Sequence, residues 1–276
     1  MAGTLVMCAT PIGNLDDVSP RLAGELKGAD VIFAEDTRRT AKLLNHLGID
    51  TPMRSYFAGN ERTRNEELGQ LLADGARIAL VSDAGTPVVS DPGASAVATA
   101  IEVGADVTAI AGPSAPVVAL SLSGFDGDRF VFDGFLPRKG RKRSEYLSEI
   151  GVQTRTTVIF SAPSRIAADL VDLADACGAD RPVMIARELT KLHETLYRTT
   201  LGEAPALFED GEHARGEFCV VIRGASQRPP SLDEATTAAA ALIDSGSSTS
   251  DAVKEIAAAH GVSRRELYER VLSERS

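Results

Sequence analysis

Tryptophan is absent, and aromatic residues together make up only 5% of the 276 positions. A protein that reads single strands by stacking bases on aromatic platforms needs more of them, so that mode of recognition is disfavoured. Cysteine occurs three times, at Cys8, Cys177 and Cys219. The number is odd and the spacings are long, which excludes a disulfide framework and a zinc site; reduced, cytosolic thiols are the expectation. The four histidines, His46, His193, His213 and His260, are too scattered for a metal cluster or a catalytic triad, and no metal is expected. Positive charge is the scarcer sign, with 29 Lys+Arg against 39 Asp+Glu and a net charge of −10. A chain that grips nucleic acid over its whole surface would have the opposite balance. No apolar run is long enough to span a bilayer, so no membrane is expected as a partner. Neither the dinucleotide GxGxxG nor the phosphate-binding GxxxxGK[ST] pattern occurs, which removes the main support for hydride transfer or nucleotide hydrolysis.

What remains is an ordinary globular composition, 43% hydrophobic and 25% charged. The length suits one large or two medium domains. The N-terminal part alternates apolar β-rich runs with helical stretches. Strands are expected at Leu5–Ala9, Val31–Ala34, Arg77–Val81 and Asp106–Ala109. Helices are expected at Ser19–Lys27, Thr40–Leu47, Asn60–Ala73 and Ser95–Glu102. Such alternation predicts an α/β fold with a mostly parallel sheet. Further strands at Phe130–Phe132, Thr156–Phe160, Val183–Ala186, Thr195–Thr199 and Phe218–Ile222 have short connections after about residue 183, predicting hairpins and a mixed sheet. Helices at Ser144–Ile150 and Arg165–Ala176 accompany them. Arg228-Pro229-Pro230 reads as a linker, and three helices follow it. The expected division is residues 1–117, 118–227 and a helical extension at 228–276.

Glycines gather where these strands end. Thr10-Pro-Ile-Gly-Asn-Leu, Ser82-Asp-Ala-Gly-Thr-Pro with Asp91-Pro-Gly, and Ala111-Gly-Pro-Ser-Ala each follow a strand. In an open parallel sheet such loops meet in one crevice, and glycine lets a ligand approach the backbone closely. A small-molecule cleft for a nucleotide-like cofactor is the functional reading, and ordinary turns are the alternative. Glu35-Asp-Thr-Arg-Arg-Thr follows the second strand and can either position a substrate or complement a helix dipole. The run Arg138-Lys-Gly-Arg-Lys-Arg143 places five basic residues within six positions of an acidic chain. It is read as a phosphate-binding loop, against the alternative of a solvated charge run. Ala186-Arg-Glu-Leu-Thr-Lys191 offers an acid, a hydroxyl and an amine directly after a strand, or else structural ion pairs.

In this order TPIGNL, AEDTRRT, SDAGTP, SDPG, GPSA, GFLPRKGRKR, ARELTK and GEF closely resemble the ribosomal RNA small-subunit methyltransferase I family, within the tetrapyrrole-methylase-like superfamily. The resemblance runs from about Leu5 to Ile222, and the segment Ala257–Tyr268 resembles that family's helical extension. It implies two α/β domains of the class III methyltransferase type with a small C-terminal helical extension. It implies S-adenosyl-L-methionine as cofactor, a homodimer in the cytoplasm, and methylation of a cytidine 2′-hydroxyl near the decoding centre. The substrate would be the small ribosomal subunit or its 16S rRNA.

Carried onto this chain, the family's cofactor residues are Pro11, Asp83, Ala84, Gly85, Val88, Ser114, Ala115, Phe160, Leu189, Gly216 and Glu217. RNA-binding residues would be Glu35, Asp36, Arg38, Arg138, Lys139, Arg141, Lys142 and Arg143. Lys191 or Glu188 would activate or orient the hydroxyl; acting as a base, Lys191 would need a lowered pKa. The chain departs from the family at Ser161 and Ser164, where an acid and a histidine are common, and at Phe57 and Gly59, where histidines are. Two other readings stand beside this one: a C-methyltransferase of tetrapyrrole precursors, and a non-catalytic ribosome-binding factor.

Overall fold

The computed structural model describes residues 2–209, 214–226, 231–260 and 262–275. His213 and the expected linker at 228–230 lie outside the described residues. Contacts divide the chain into two compact units, Met1–Ala225 and Ser226–Ser276.

The first unit contains two sheets. The first sheet is parallel throughout, in the order β3-β2-β4-β1-β5. Its strands are β1 (Thr4–Cys8), β2 (Val31–Ala34), β3 (Met53–Ser55), β4 (Arg77–Val81) and β5 (Asp106–Ile110). The connecting helices are α1 (Pro20–Gly28), α2 (Thr37–Leu47), α3 (Glu61–Ala73) and α4 (Ala94–Glu102). Strand side chains alternate between faces, and the apolar pattern follows that period. Val6, Cys8, Ile32, Ala34, Ala79 and Val81 pack with Leu22 and Leu26 of α1 and Leu43 and Leu44 of α2. Leu5, Phe33, Ile78 and Leu80 pack with Leu68 and Leu72 of α3 and Ala96 and Ala100 of α4. Neighbouring strands β1 and β4 send their chains to opposite sides of the sheet, which opens a crevice at their carboxyl ends. The glycine-rich loops lie at that end.

The second sheet is mixed, in the order β6-β7-β10-β8-β9. Helix α5 (Ala115–Ser123) precedes it. Its elements are β6 (Phe130–Phe135), α6 (Arg141–Val152), β7 (Thr156–Ser161), α7 (Ile166–Cys177), β8 (Pro182–Arg187), β9 (Thr195–Thr200) and β10 (Phe218–Ile222). β6 and β7 are parallel and the other pairings are antiparallel, including the expected β8–β9 hairpin. Ile159, Val183, Ile185 and Val220 face Ile150 of α6 and Leu170 and Leu173 of α7. Val158, Met184, Ala186 and Val221 face Ala119 and Leu120 of α5. Ile12, from the loop after β1, packs into that same cluster and ties the two sheets together.

Three expectations change here. A boundary at 117/118 falls inside α5, whose apolar residues belong to the second sheet although the helix follows the first. Helix α2 starts at Thr37, three residues before the predicted start, because Asp36 caps it by accepting from the Arg38 N–H at 2.8 Å. Helix α6 starts at Arg141, so the basic run is only half loop.

The second unit is α8 (Leu232–Asp244), α9 (Thr249–His260) and α10 (Arg264–Arg275) around Ala235, Ala239, Val253, Ala257, Leu267 and Val271. Ser231 caps α8, and Arg270 pairs with Asp233 at 2.9 Å. Among the described residues no helix is long and apolar enough to cross a membrane.

Candidate active site

Two adjoining chambers open at the carboxyl ends of β1 and β4. The first, of about 310 Å³, is walled by backbone and small side chains at Ala84, Gly85, Ser114 and Ala115, and by Phe135, Phe160, Pro163 and Leu189. A β-bulge shifts the β6–β7 register so that Phe135 pairs with Phe160, their ring centroids 5.4 Å apart. Gly134, at φ +60°, permits the bulge, and a Cβ there would sit 3.2 Å from Ser90 Oγ on the opposite wall. The second chamber, of about 300 Å³, is lined by Thr10, Pro11, Gly13, Thr40, Lys42 and Lys191 among others. Ile12, Arg39, Asp83, Ala84 and Glu217 line both.

Charged groups form the partition. Arg39 Nε lies 3.6 Å from Asp83 Oδ2, and Arg39 Nη1 lies 3.9 Å from Glu217 Oε1. Lys191 Nζ donates to Glu188 Oε1 at 2.8 Å and to Glu217 Oε2 at 2.9 Å. Glu188 also accepts from the Glu217 N–H at 2.8 Å, while its own N–H donates to the Glu217 carbonyl at 2.9 Å. Burial pulls the Lys191 pKa down, but the two carboxylates outweigh it and leave the ammonium above its ordinary range. Burial pulls Glu188 up, but Lys191 and the Glu217 amide outweigh it and leave that carboxyl below its ordinary range. The shift is opposite in sign to the lowering that a base would need, and the ammonium is held by two hydrogen bonds.

Backbone strain marks the same loop. Glu188 and Thr190 hold φ of +52° and +61° without being glycine. The Asn14 N–H donates to Thr190 Oγ1 at 3.1 Å, which joins the β1 loop to the β8–β9 loop. A Cβ at Gly13 would lie 2.5 Å from Lys191 Cγ, so glycine is what allows this approach.

Carboxylates cluster on the side of the first sheet. Burial pushes the Asp91 carboxyl up to about 6, and Asp83 and Glu217 add repulsion. Burial also raises Glu35, with Asp91 next in effect. Glu35 accepts from the Asp83 N–H at 3.3 Å, and Asp83 accepts from the Asp36 N–H at 2.8 Å. The loop carrying Asp91 is itself strained, with Val88 at φ +77° and Ser90 at +66°.

The sequence and the fold both have relatives among known proteins. The tetrapyrrole (corrin/porphyrin) methylase profile matches residues 4–205, and a profile described as the RsmI C-terminal HTH domain matches residues 230–275. The ribosomal RNA small subunit methyltransferase I of Synechocystis is 44% identical over 270 residues, covering 97% of this chain and 96% of that one. The chain belongs to the ribosomal RNA small subunit methyltransferase I family. Another member, from Thermotoga maritima, is 43% identical over 222 residues, 80% of this chain and 99% of that one. The fold is shared with a uroporphyrin-III C-methyltransferase from Thermus thermophilus solved with S-adenyl homocysteine. That structure aligns with a TM-score of 0.57 at 15% identity, covering 80% of this chain and 97% of that one.

The family-derived cofactor residues mostly meet in the two chambers. Asp83, Ala84, Gly85, Ser114, Ala115, Phe160, Leu189 and Glu217 line the first, and Pro11 the second. Val88 does not line either; its side chain is 44% exposed, and its neighbours Val89 and Ser90 take its place in the wall. Gly216 stands outside the lining and has a supporting position, at φ +95° with a would-be Cβ 2.5 Å from Glu188 Cδ.

The RNA-facing set changes more. Arg38 is fully extended to solvent and forks onto Asp36 at 3.0 and 2.7 Å, which holds Asp36 well below the usual carboxylate range. Its neighbour Arg39, passed over in the sequence, enters both chambers. Arg143 leaves the phosphate-binding set: it is 7% exposed and bound to Asp169, Asp172 and the Pro137 carbonyl. Arg141 pairs with Glu145 at 2.6 Å and stays exposed, as do Arg138, Lys139 and Lys142.

The departures from the family pattern have local explanations. Ser161 is buried and donates to Asp169 Oδ2 at 2.8 Å, within the same Arg143 network. Ser164 is exposed and outside both chambers. Phe57 lies over Gly59, where a Cβ would meet its ring at 2.6 Å; neither residue reaches a chamber. The three described histidines, His46, His193 and His260, are exposed, and the described residues hold no metal-ligand cluster. Cys8 and Cys219 are buried free thiols pushed up to about 12 by burial.

Proposed function

We propose that this protein transfers a methyl group from S-adenosyl-L-methionine to the 2′-hydroxyl of a cytidine in small-subunit (16S) ribosomal RNA, near the decoding centre. The observation that carries this is the partition: an ammonium, Lys191, bonded to two carboxylates, stands where an apolar cleft adjoins a second chamber lined by three cations. The first chamber suits the cofactor chemically. Phe135, Phe160, Pro163 and Leu189 offer contact to a flat base and an aliphatic chain, and Asp83, Asp91 and Glu217 offer negative charge to a sulfonium. The cofactor supplies an electrophilic methyl group. The chain's own work is alignment of the two reactants, which can supply most of the acceleration.

Lys191 orients the ribose oxygen and stabilises the negative charge that grows on it, as a pre-set donor does. Glu188 holds Lys191 and the Glu217 amide in place and is a positioning residue. Arg138, Lys139 and Lys142 are exposed, line neither chamber and remain available for rRNA phosphates.

A second copy of the chain is the expected partner. Strand β5 is an outer edge whose residues 106–109 are exposed, and Ile101, Val103, Val107 and Val117 add uncovered apolar surface around it. Such an edge calls for a cover. Sedimentation should give a dimer, and Val107→Lys a monomer. The cytoplasm, where the ribosomal substrate resides, is the proposed location.

The deciding experiment transfers labelled methyl from S-adenosyl-L-methionine to small subunits lacking the modification, with naked rRNA beside them. Label recovered on a cytidine 2′-oxygen is the expected result. Cofactor and subunit binding without transfer would leave the non-catalytic factor, and label on tetrapyrrole precursors alone would leave the C-methyltransferase.

A further inference from the structure

The two chambers face different chemistry. In the first, the charged lining is three carboxylates, Asp83, Asp91 and Glu217, against one cation, Arg39. In the second, three cations, Arg39, Lys42 and Lys191, stand against Asp83 and Glu217. These cations are not equally committed. Lys191 makes two short hydrogen bonds. Arg39 approaches its two carboxylates only at 3.6 and 3.9 Å, beyond hydrogen-bond length, so its N–H groups retain donor capacity. Lys42 is exposed and has no hydrogen bond or ion pair among the described residues. Arg39 and Lys42 are three residues apart on α2 and share one face of it. A guanidinium with free N–H groups beside an unpaired ammonium is an anion-binding pair, and the guanidinium fork matches a phosphate.

We propose that the second chamber is the subsite of the acceptor nucleotide, where Arg39 and Lys42 take the phosphodiester flanking the reacting ribose. This rests on the reading of the first chamber as the cofactor cleft and of rRNA as the acceptor. It moves the phosphate contact nearest the chemistry from the basic run at 138–143 to α2. It also gives Arg39 two claims: a phosphate in the second chamber draws on the same guanidinium that stands between Asp83 and Glu217. RNA and cofactor binding are thereby coupled through one side chain.

The test uses the full chain and unmodified small subunits. Lys42→Gln should weaken subunit affinity roughly tenfold at low salt, as loss of a charged contact does. It should also lower the slope of log K against log salt by about 0.7–0.9, one phosphate contact. Its affinity for S-adenosyl-L-methionine, measured by calorimetry without RNA, should match the parent, which separates a lost contact from a damaged fold. Lys42→Arg should restore both affinity and slope. Arg39→Lys keeps the charge and loses the fork; it should raise KM for subunits and change the cofactor affinity as well. Unchanged subunit affinity and salt slope in Lys42→Gln would overturn the proposal. Failure of the underlying reading looks different: the parent protein itself then transfers no methyl to rRNA or binds no cofactor.

Discussion

The chain has two groups of cations, and they differ in how they are made. Five of one group stand side by side at 138–143. The other, Arg39, Lys42 and Lys191, comes from two distant segments and is brought by the fold to the lining of one chamber. The contiguous group is conspicuous in sequence and dispersed in space: one member is buried as a structural ion pair, one is tied to Glu145, and the rest point to solvent. The scattered group is inconspicuous in sequence and convergent in space. Charge density along a chain reports local repulsion and solvation, whereas a binding site depends on where side chains meet.

The largest expected effect separates Arg143 from its neighbours. It bonds Asp169, Asp172 and the Pro137 carbonyl inside the α6–α7 packing, and Ser161 completes the network. Removing one partner of a buried charge pair leaves the other uncompensated, at a cost of about 3–5 kcal/mol. Arg143→Met should therefore lower the Tm steeply in a calorimetric melt, while Lys142→Met should leave it unchanged. Equal effects would erase the distinction within the run.

Next comes Lys191. As a pre-set donor to the developing oxyanion, its loss in Lys191→Met should lower kcat by about 10²–10³-fold. Cofactor affinity should change far less than kcat, because Lys191 meets the first chamber only through Glu217. The pH profile discriminates further. A lysine base would make the rate rise as it loses its proton. A lysine donor whose pKa is raised gives a rate that stays flat through neutrality and falls only above the ordinary lysine range, about 10.4.

The strands, the parallel sheet and the glycine loops were legible because apolar alternation and turn chemistry are local. The loop after β8 was legible as a cluster of functional groups, but its electrostatics were not: the Lys191 shift depends on Glu188 within the loop and also on Glu217, 26 residues away. Phe135 escaped because its place in the wall depends on a bulge, and Arg39 because its exposed neighbour Arg38 is indistinguishable from it in sequence. Strand β3 was missed because three residues, Met53-Arg54-Ser55, have no period to read. Eight of the residues that the family resemblance assigned to the cofactor line the first chamber, whereas Val88 does not and its neighbours Val89 and Ser90 do.

A smaller effect concerns the carboxylates opposing the scattered cations. The Asp91 carboxyl, raised to about 6, is neutral in the folded protein below that pH and charged above it. Affinity for cationic S-adenosyl-L-methionine should rise several-fold between about pH 5 and 7, while that for neutral S-adenosylhomocysteine should change less. Stability runs the other way: the unfolded chain releases this proton near pH 4 and the folded one near 6, so Asp91 takes stability away as pH rises through that window. Asp91→Asn should flatten both dependences. Glu35, raised in the same sense, will keep a residual slope, and Asp83, Glu217 and Arg39 face the same space.

The smallest effect tests the exposed remainder of the run. Arg138, Lys139 and Lys142 are solvated, so replacing all three by Gln should move stability by no more than about 0.5 kcal/mol per site. Their contribution to rRNA binding, if they touch phosphates, is long-range attraction that salt screens over about 8–10 Å. Subunit affinity in the triple variant should fall at low salt and converge with the parent as salt rises, with kcat at saturating subunits unchanged. That profile differs from the one expected at Arg39, where the contact adjoins the chemistry and KM and cofactor affinity move together. A triple variant that lowered kcat at saturation would place these three residues at the reacting nucleotide and dissolve the contrast between the two cation groups.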